Sequence, residues 1–145
     1  MNVIIRQLEM NDINFLVPLF SDLGYPTTTE ELYERFERIN LNHDYYSLVA
    51  IYNNEIVGFS GLCKMLFFEQ NGAYARILAF VVSSKYQHKG IGKVLLKASE
   101  DWACEQDCMA ITLNSGNRDE RKVAHKFYLN NGYQIKSSGF LKLIQ

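Results

Sequence analysis

The sequence has few cysteines, few prolines and no excess of basic residues. Its 145 residues include three cysteines and two prolines, and 15 Lys and Arg stand against 16 Asp and Glu, for a net charge of −1. An odd and small number of cysteines is a poor disulfide framework, so we expect all three to be ordinary structural residues. The balanced charge argues against non-specific nucleic-acid binding, which depends on neutralising phosphates with a basic excess.

Long hydrophobic runs are also missing. The longest apolar stretches, such as Ile77–Val82, are far shorter than the ~20 residues that span a bilayer. The first residues have no basic leader before a long apolar run, which argues against a signal peptide. We therefore expect a cytoplasmic protein that has no membrane partner. Cys104 and Cys108 have no His nearby in the sequence, so we also expect no metal site.

The composition is that of a globular protein. Hydrophobic residues make up 48% of the chain and charged residues 21%, which is near the average for folded domains. A chain of 145 residues is long enough for one domain with one main core. We therefore expect a single domain over residues 1–145.

The spacing of apolar residues predicts an α+β fold. Period-two and aromatic-rich segments indicate strands, and apolar residues three and four apart indicate helices. We expect a central mixed, mostly antiparallel sheet flanked by about four helices, and the continuous apolar run Ile77–Val82 predicts a strand buried on both faces. The predicted strands are Asn2–Leu8, Tyr45–Tyr52, Glu55–Phe68, Ala73–Val82, Met109–Leu113 and a final pair within Tyr133–Ile144, and the three strands from Tyr45 to Val82 form an antiparallel meander. The first predicted helix follows Asp12, which can cap it, and ends near Gly24, and the second starts near Thr28, with Glu31 completing a capping box. The other two helices are predicted over about Gly90–Gln106 and Glu120–Asn130.

One loop has the features of a phosphate-binding site. The strand that ends at Val82 leads through Gly90 and Gly92 into a helix, and the first N–H groups of a helix have no partner within it. These groups and the helix dipole favour a bound phosphate or pyrophosphate, and glycine lets a ligand approach the backbone closely. Between positions 85 and 97 there is no acidic residue, but there is a cluster of basic ones: Lys85, His88, Lys89, Lys93 and Lys97.

Two common phosphate-binding motifs do not fit this loop. A dinucleotide-binding fingerprint needs a third glycine three residues after Gly92, where this chain has Leu95. A P-loop needs four residues between its two glycines and a Ser or Thr after the lysine, whereas Val94 follows Lys93. The remaining pattern is Gln-x-x-Gly-x-Gly after an apolar strand.

This pattern, Gln87-His88-Lys89-Gly90-Ile91-Gly92, resembles the acyl-CoA pyrophosphate loop of the GNAT superfamily of N-acetyltransferases. A second block, Ala124–Tyr133, is similar to a later helix of that family and to the glycine and aromatic residue that follow it. The spacing of about 35 residues between the two blocks is typical of the family. The predicted order of elements also agrees with the family over essentially the whole chain.

The resemblance implies a role for particular residues. The backbone of Phe80 and Val82 would pair with the pantetheine arm of acetyl-CoA, and Tyr128 would donate a proton to the leaving thiolate. The residues that would hold the pyrophosphate are Gln87, His88, Lys89, Gly90, Ile91, Gly92 and Lys93.

The implied function is an acetyl-CoA-dependent N-acetyltransferase that moves an acetyl group directly to a primary amine of a small molecule or protein, without a metal. The alternative is a non-catalytic acyl-CoA-binding or sensing module of the same fold. The family also implies a homodimer, but the sequence does not identify the acceptor amine.

Two positions depart from the family pattern. Many members have a carboxylate in the fourth strand, whereas residues 77–82 have none, so no general base is assigned. Many members also have an Asn where this chain has Arg121, which makes the segment 114–118 a candidate for further cofactor contacts.

Overall fold

The computed structural model describes residues 2–115 and 122–144, and these form two compact units, residues 1–112 and 113–145. The first unit contains most of the sheet and three helices, and the second contains the last helix and the C-terminal segment. The expectation of a single domain over residues 1–145 stays a prediction.

The first unit is built on a five-stranded sheet in which the strands follow one another in chain order. The pairs β1–β2, β2–β3 and β3–β4 are antiparallel, as the meander predicted from the sequence requires. β5 lies next to β4 after a helical crossover. The strands are β1 (Ile4–Gln7), β2 (Tyr45–Tyr52), β3 (Glu55–Leu66), β4 (Ala73–Val82) and β5 (Cys108–Leu113).

The four helices are α1 (Ile13–Leu23), α2 (Thr29–Ile39), α3 (Ile91–Glu105) and α4 (Lys122–Asn130). Local sequence signals fix several of their ends. Gly24 ends α1 in the left-handed conformation, with φ 103°. The predicted capping box of α2 is confirmed, because Thr28 Oγ1 accepts from Glu31 N at 3.2 Å and Glu31 Oε1 accepts from Thr28 N at 3.2 Å.

The helices pack on both faces of the sheet. On one face, side chains of α1 and α2 form the main apolar core with Val49, Phe59 and Val81 of three neighbouring strands. On the other face α3 lies against β2, β3 and β4. Two fully buried hydroxyls join α3 to β3 there, Ser60 Oγ and Ser99 Oγ at 2.8 Å.

A partly buried ion pair joins β1 to the residue just before α1. Arg6 donates from both terminal nitrogens to Asp12, at 2.7 and 2.9 Å, and Glu9 N also donates to the Asp12 carboxylate, at 2.7 Å. The hydrogen bond from Arg6 holds the pKa of Asp12 below its usual value. The sequence predicted Asp12 as the cap of α1, but its side chain makes no such hydrogen bond because Arg6 and Glu9 occupy it.

Two expectations from the sequence are wrong. The predicted final strand pair is absent, because residues 133–144 have no regular secondary structure. The segment 77–82 is not buried on both faces, since Leu78 is 51% exposed. The reason is a β-bulge: Gly61 pairs with Ala79 and Leu62 pairs with Ile77, so Leu78 has no partner in β3.

Among the described residues, no helix is both long and apolar enough to cross a membrane. The start that the sequence predicts for the last helix lies partly in residues 116–121, outside the described residues.

Replacing Asp12 with Asn should make the free energy of unfolding depend less on pH in the acidic range. The pKa of Asp12 is lower in the folded than in the unfolded state. The contribution of this carboxylate to the free energy of unfolding is therefore complete above the unfolded pKa of ~4, and it is lost as the pH falls through the pKa of the folded state. We expect Asp12→Asn to reduce the free energy of unfolding by about 1.5–3 kcal/mol at pH 7, the range for hydrogen bonds to charged groups.

Urea unfolding at pH 7, 4 and 3 measures this effect, with the exposed Glu37→Gln as the control. The difference in the free energy of unfolding between wild type and Asp12→Asn should become smaller as the pH falls. A difference that stays constant from pH 7 to pH 3 contradicts the assigned role of the ion pair.

Candidate functional site

The candidate site is the loop between β4 and α3. After β4 ends at Val82, residues Ser84–Tyr86 form one turn of 3-10 helix, and α3 begins at Ile91. Gly90, the residue before α3, has φ 81°, and His88 has φ 62°. Such left-handed positions are easy for glycine and unusual for other residues. The backbone therefore turns sharply just before the N-terminus of α3.

The N-terminus of α3 is free of competing negative charge. Gly90 offers no side chain to cap the helix, and the first turn contains no acidic residue. The N–H groups of this turn have no partner within the helix and lie at the positive end of its dipole. An anion placed here would receive backbone hydrogen bonds without displacing a carboxylate of the protein.

Hydrogen bonds within the loop give Gln87 a defined role. The Gln87 Nε2 atom donates to the carbonyl oxygen of Val82 at 2.9 Å and lies 3.4 Å from that of Ser83. The side chain thereby joins the middle of the loop to the end of β4. Gln87 shapes the loop through this contact, in addition to the cofactor contact that the family resemblance implies.

Contacts from two other elements, α1 and β3, hold the first half of the loop. Ser84 N donates to Asp22 Oδ2 at the end of α1, at 2.9 Å, and Ser83 N donates to the carbonyl oxygen of Val57 in β3, at 2.7 Å. Tyr86 donates its phenol hydrogen to Glu55 at 2.6 Å, which raises the pKa of Tyr86. Sequence reasoning missed these anchors because each joins residues far apart in the chain.

The basic cluster is only partly available to a ligand. Lys85, His88, Lys89 and Lys93 are exposed around the loop. Lys97, which the sequence places in the same cluster, forms an ion pair with Asp101 one turn along α3. Within residues 2–115 and 122–144, no group of three or more His, Cys, Asp or Glu side chains is placed to hold a metal ion.

The bulge in β4 precedes the two strand residues predicted to bind the cofactor. Phe80 lies opposite Ser60 and Val82 lies opposite Gly58, on the face that α3 covers. The extra residue Leu78 changes the register by one. Odd-numbered residues of β4 therefore lie on one face of the sheet before Leu78 and on the other face after it. Phe80 and Val82 thus lie in the short stretch of β4 between the bulge and the loop.

Tyr128 lies in the second unit. Its side chain is buried in α4 and packs edge-on against the rings of Phe127, at 5.3 Å, and Tyr133, at 5.8 Å. Gly132 follows the helix with φ 91°, and Tyr133 N donates to the carbonyl oxygen of Tyr128 at 3.1 Å. The glycine and aromatic residue after the helix therefore shape its end, as the sequence suggests.

The structure describes only some of the other residues that the sequence analysis considers for the site. Gly116, Asn117, Arg118 and Arg121 lie outside the described residues. Asp22, at the end of α1, serves as an anchor of the loop. The β4 segment 77–82 brings no carboxylate to the site. The roles given to the individual cofactor-binding residues and to Tyr128 stay predictions.

Comparisons with known proteins agree with one another. The sequence model of the acetyltransferase (GNAT) family matches residues 13–133, which include both motif blocks. An uncharacterized N-acetyltransferase of Bacillus subtilis, YhdJ, is 31% identical over 128 residues, which cover 86% of this chain and 87% of that protein.

Solved structures show the same fold. A GNAT family acetyltransferase of Staphylococcus aureus is 44% identical, with a TM-score of 0.87 over 99% of this chain and 100% of that one. A glucosamine-6-phosphate N-acetyltransferase of Arabidopsis thaliana is 25% identical, with a TM-score of 0.82 over 100% of both chains. The α+β fold class inferred from the sequence is therefore confirmed.

Removing the Asp22 carboxylate should loosen the loop. We expect Asp22→Ala to speed hydrogen exchange of the Ser84 amide by roughly fivefold to tenfold, the effect of losing a hydrogen bond of about 1 kcal/mol. Asp22→Asn is the matched control, because its side-chain oxygen still accepts from Ser84 N. Hydrogen-exchange mass spectrometry measures both variants, and equal protection in wild type and Asp22→Ala would contradict the anchor.

Proposed function

We propose, from the premise that the chain belongs to the GNAT family of N-acetyltransferases, that it transfers an acetyl group from acetyl-CoA directly to a primary amine of a small molecule or protein. The observation that carries the proposal is the Gln87–Gly92 loop, which leads from the end of β4 into the uncapped N-terminus of α3. The cytoplasmic location and the homodimer belong to the same proposal.

The residues of the loop fit the pyrophosphate of CoA. The turn at Gly90 and the uncapped first turn of α3 provide backbone N–H donors, and no carboxylate competes for them there. The residues proposed to hold the cofactor are Gln87, His88, Lys89, Gly90, Ile91, Gly92 and Lys93, with Phe80 and Val82 binding the pantetheine arm through their backbone.

When bound, acetyl-CoA supplies a thioester from which transfer forms a C–N bond to the amine, breaks the C–S bond and leaves a thiolate that takes up a proton. We assign Tyr128 the donation of that proton. A phenol with an ordinary pKa of ~10 is close in acidity to an alkyl thiol, so the transfer is nearly balanced. The burial of Tyr128 against two aromatic rings restricts its orientation.

The acceptor amine must lose its own proton before it attacks, because an ammonium group has no lone pair. We assign no residue to this step, since the β4 segment 77–82 contains no carboxylate. Deprotonation through ordered water and a backbone carbonyl is consistent with this strand.

Adding a side chain at Gly90 should weaken binding of CoA while the fold persists. We expect Gly90→Ala to weaken CoA binding at least tenfold, because its Cβ would stand where the backbone approaches the phosphates. Gly72→Ala is the matched control, since Gly72 also has a positive φ, of 116°, but lies in the turn at the opposite end of β4.

Isothermal titration calorimetry with CoA measures affinity, and circular dichroism checks the fold. Both variants carry the strain of a left-handed alanine, which is about 1–2 kcal/mol. Equal CoA affinity in wild type and Gly90→Ala would contradict the assignment of this loop.

Removing the hydroxyl of Tyr128 should slow turnover without affecting cofactor binding. We expect Tyr128→Phe to reduce kcat by ~10²-fold, the usual contribution of a general acid, with an unchanged KM for acetyl-CoA. Tyr133→Phe is the control, because it removes the hydroxyl from a neighbouring ring.

Release of CoA thiol from acetyl-CoA in the presence of an amine panel measures the rate. An unchanged kcat in Tyr128→Phe would contradict the role of Tyr128. CoA binding without turnover by the wild type on any amine would favour a non-catalytic acyl-CoA-binding module instead.

A further inference from the structure

Part of the sheet extends beyond the two helices that cover its first face. On the face that carries Val49, Phe59 and Val81, the pairing places Tyr45, Cys63 and Arg76 in one row across three strands. The same face continues along β3 and β4 to a second row. We refer to Tyr45, Cys63, Met65, Tyr74 and Arg76 as the open face.

The open face is accessible and chemically mixed. Tyr45 is 37% exposed and Met65 is 38% exposed, while the other three members are half-buried. None of the five belongs to the apolar core formed with α1 and α2. The open face therefore combines aromatic and thioether surface with one guanidinium group.

Arg76 is the distinctive residue of this surface. In the described ranges 2–115 and 122–144, Arg76 makes no ion pair and no side-chain hydrogen bond, although it is half-buried. Arg6, by contrast, is held by a carboxylate through two hydrogen bonds. Withdrawing a guanidinium partly from water costs free energy that an anionic partner would offset.

The nearby carboxylate of Asp44 forms no ion pair with Arg76. Burial, and then the charge of Asp44, raises the pKa of the Cys63 thiol, so the Asp44 carboxylate lies close enough to act on the row. Among the residues that the structure describes, no carboxylate occupies the guanidinium, so it can bind an anion from outside the chain.

The position of Arg76 relates it to the bulge in β4. Along this face the next residue of β4 after Arg76 is Ala79, because Leu78 is the extra residue of the bulge. On the opposite face α3 covers the sheet through Ser99 and Leu95. A molecule that reaches this stretch of β4 through the open face therefore lies beside Arg76.

We propose that the open face binds the acceptor, and that the acceptor is a small primary amine that also carries an anionic group, a carboxylate or a phosphate, bound by Arg76. This inference rests on the proposed function, in which the acetyl group lies against β4. Ala79 and Arg76 are three residues apart, about 7–10 Å along a strand, so one small molecule spans from the bulge to Arg76.

Each group of the open face has a part in this recognition. The guanidinium of Arg76 matches a carboxylate or phosphate with two parallel hydrogen bonds. Tyr45, Met65 and Tyr74 provide contact surface for the body of the acceptor. In the reaction the amine nitrogen forms the C–N bond and gives up one proton, while the anionic group keeps its charge and stays on Arg76.

The experiment compares matched acceptors with and without the acid. The carboxylate arm pairs phenylalanine with phenethylamine, and the phosphate arms pair phosphoethanolamine with ethanolamine and glucosamine 6-phosphate with glucosamine. Each is assayed by thiol release from acetyl-CoA, and its binding to the CoA-loaded protein is measured by calorimetry. The variants are Arg76→Gln and Arg76→Lys, with Arg38→Gln on the exposed face of α2 as the control.

We expect the wild type to prefer the anionic member of at least one pair by tenfold or more in kcat/KM. Arg76→Gln should raise the KM and Kd of that acceptor at least tenfold and leave the neutral partner and the KM for acetyl-CoA within twofold. Arg76→Lys should restore part of the loss, and Arg38→Gln should behave as wild type. The pair of acceptors that shows this dependence on Arg76 identifies whether Arg76 binds a carboxylate or a phosphate.

Two failures are distinguishable. If acetyl-CoA binds and neutral amines are acetylated as well as their anionic partners, or if Arg76→Gln affects both members equally, the inference about Arg76 is overturned. The inference is also overturned if acetyl-CoA binds but no anionic amine binds or reacts in an Arg76-dependent way. If the protein does not bind acetyl-CoA at all, the proposed function fails first.

Discussion

The close packing of α3 on β3 is the contact on which the geometry of the site depends. A Cβ atom at Gly58 would lie 3.2 Å from Leu95, so the helix approaches the strand as closely as a glycine allows. One turn further along, Ser99 donates to the carbonyl oxygen of Leu95 at 2.9 Å and therefore accepts from Ser60. Both hydroxyls are fully buried, so a shift of the helix would leave polar groups unsatisfied, at about 1–3 kcal/mol each. The position of α3 is fixed by this contact, and with it the position of its N-terminus at the end of β4.

The second constraint is the single extra residue in β4. Without a bulge, a ten-residue strand would present the same alternate residues to α3 along its whole length. With Leu78 inserted, Ile77 faces α3 whereas Ala79 and Val81 face α1 and α2. The C-terminal end of β4 therefore leads into the loop before α3. The part of β4 that precedes the bulge contributes Arg76 to the open face. If the cofactor binds as proposed and the acceptor binds on the open face, this division lets the two meet on the same strand from different sides.

The sequence predicts the features that are determined locally. The capping box at Thr28, the left-handed Gly24 and the loop from Gln87 to Gly92 each lie within a few residues, and their chemistry is visible without a fold. The bulge is not visible, because residues 77–82 are all apolar and nothing marks the one that loses its partner. The contact of Asp22 with Ser84 joins residues 62 apart, and only the fold brings them together. The final strand pair fails for a related reason: apolar residues such as Phe140 and Leu141 suggest strands, but a strand also needs a partner for its backbone groups.

The missing carboxylate on β4 acquires a physical explanation if Arg76 binds the acid group of the acceptor. In water an amine beside its own carboxylate or phosphate has its ammonium form stabilised, because the opposite charge lies nearby. A guanidinium that pairs with this anion cancels that stabilisation. The pKa of the bound amine is then lower than that of the free acceptor, so less basicity is required of the group that removes the proton. A strand that provides Arg76 in place of a carboxylate can therefore promote deprotonation through the charge of the site, with water as the proton acceptor.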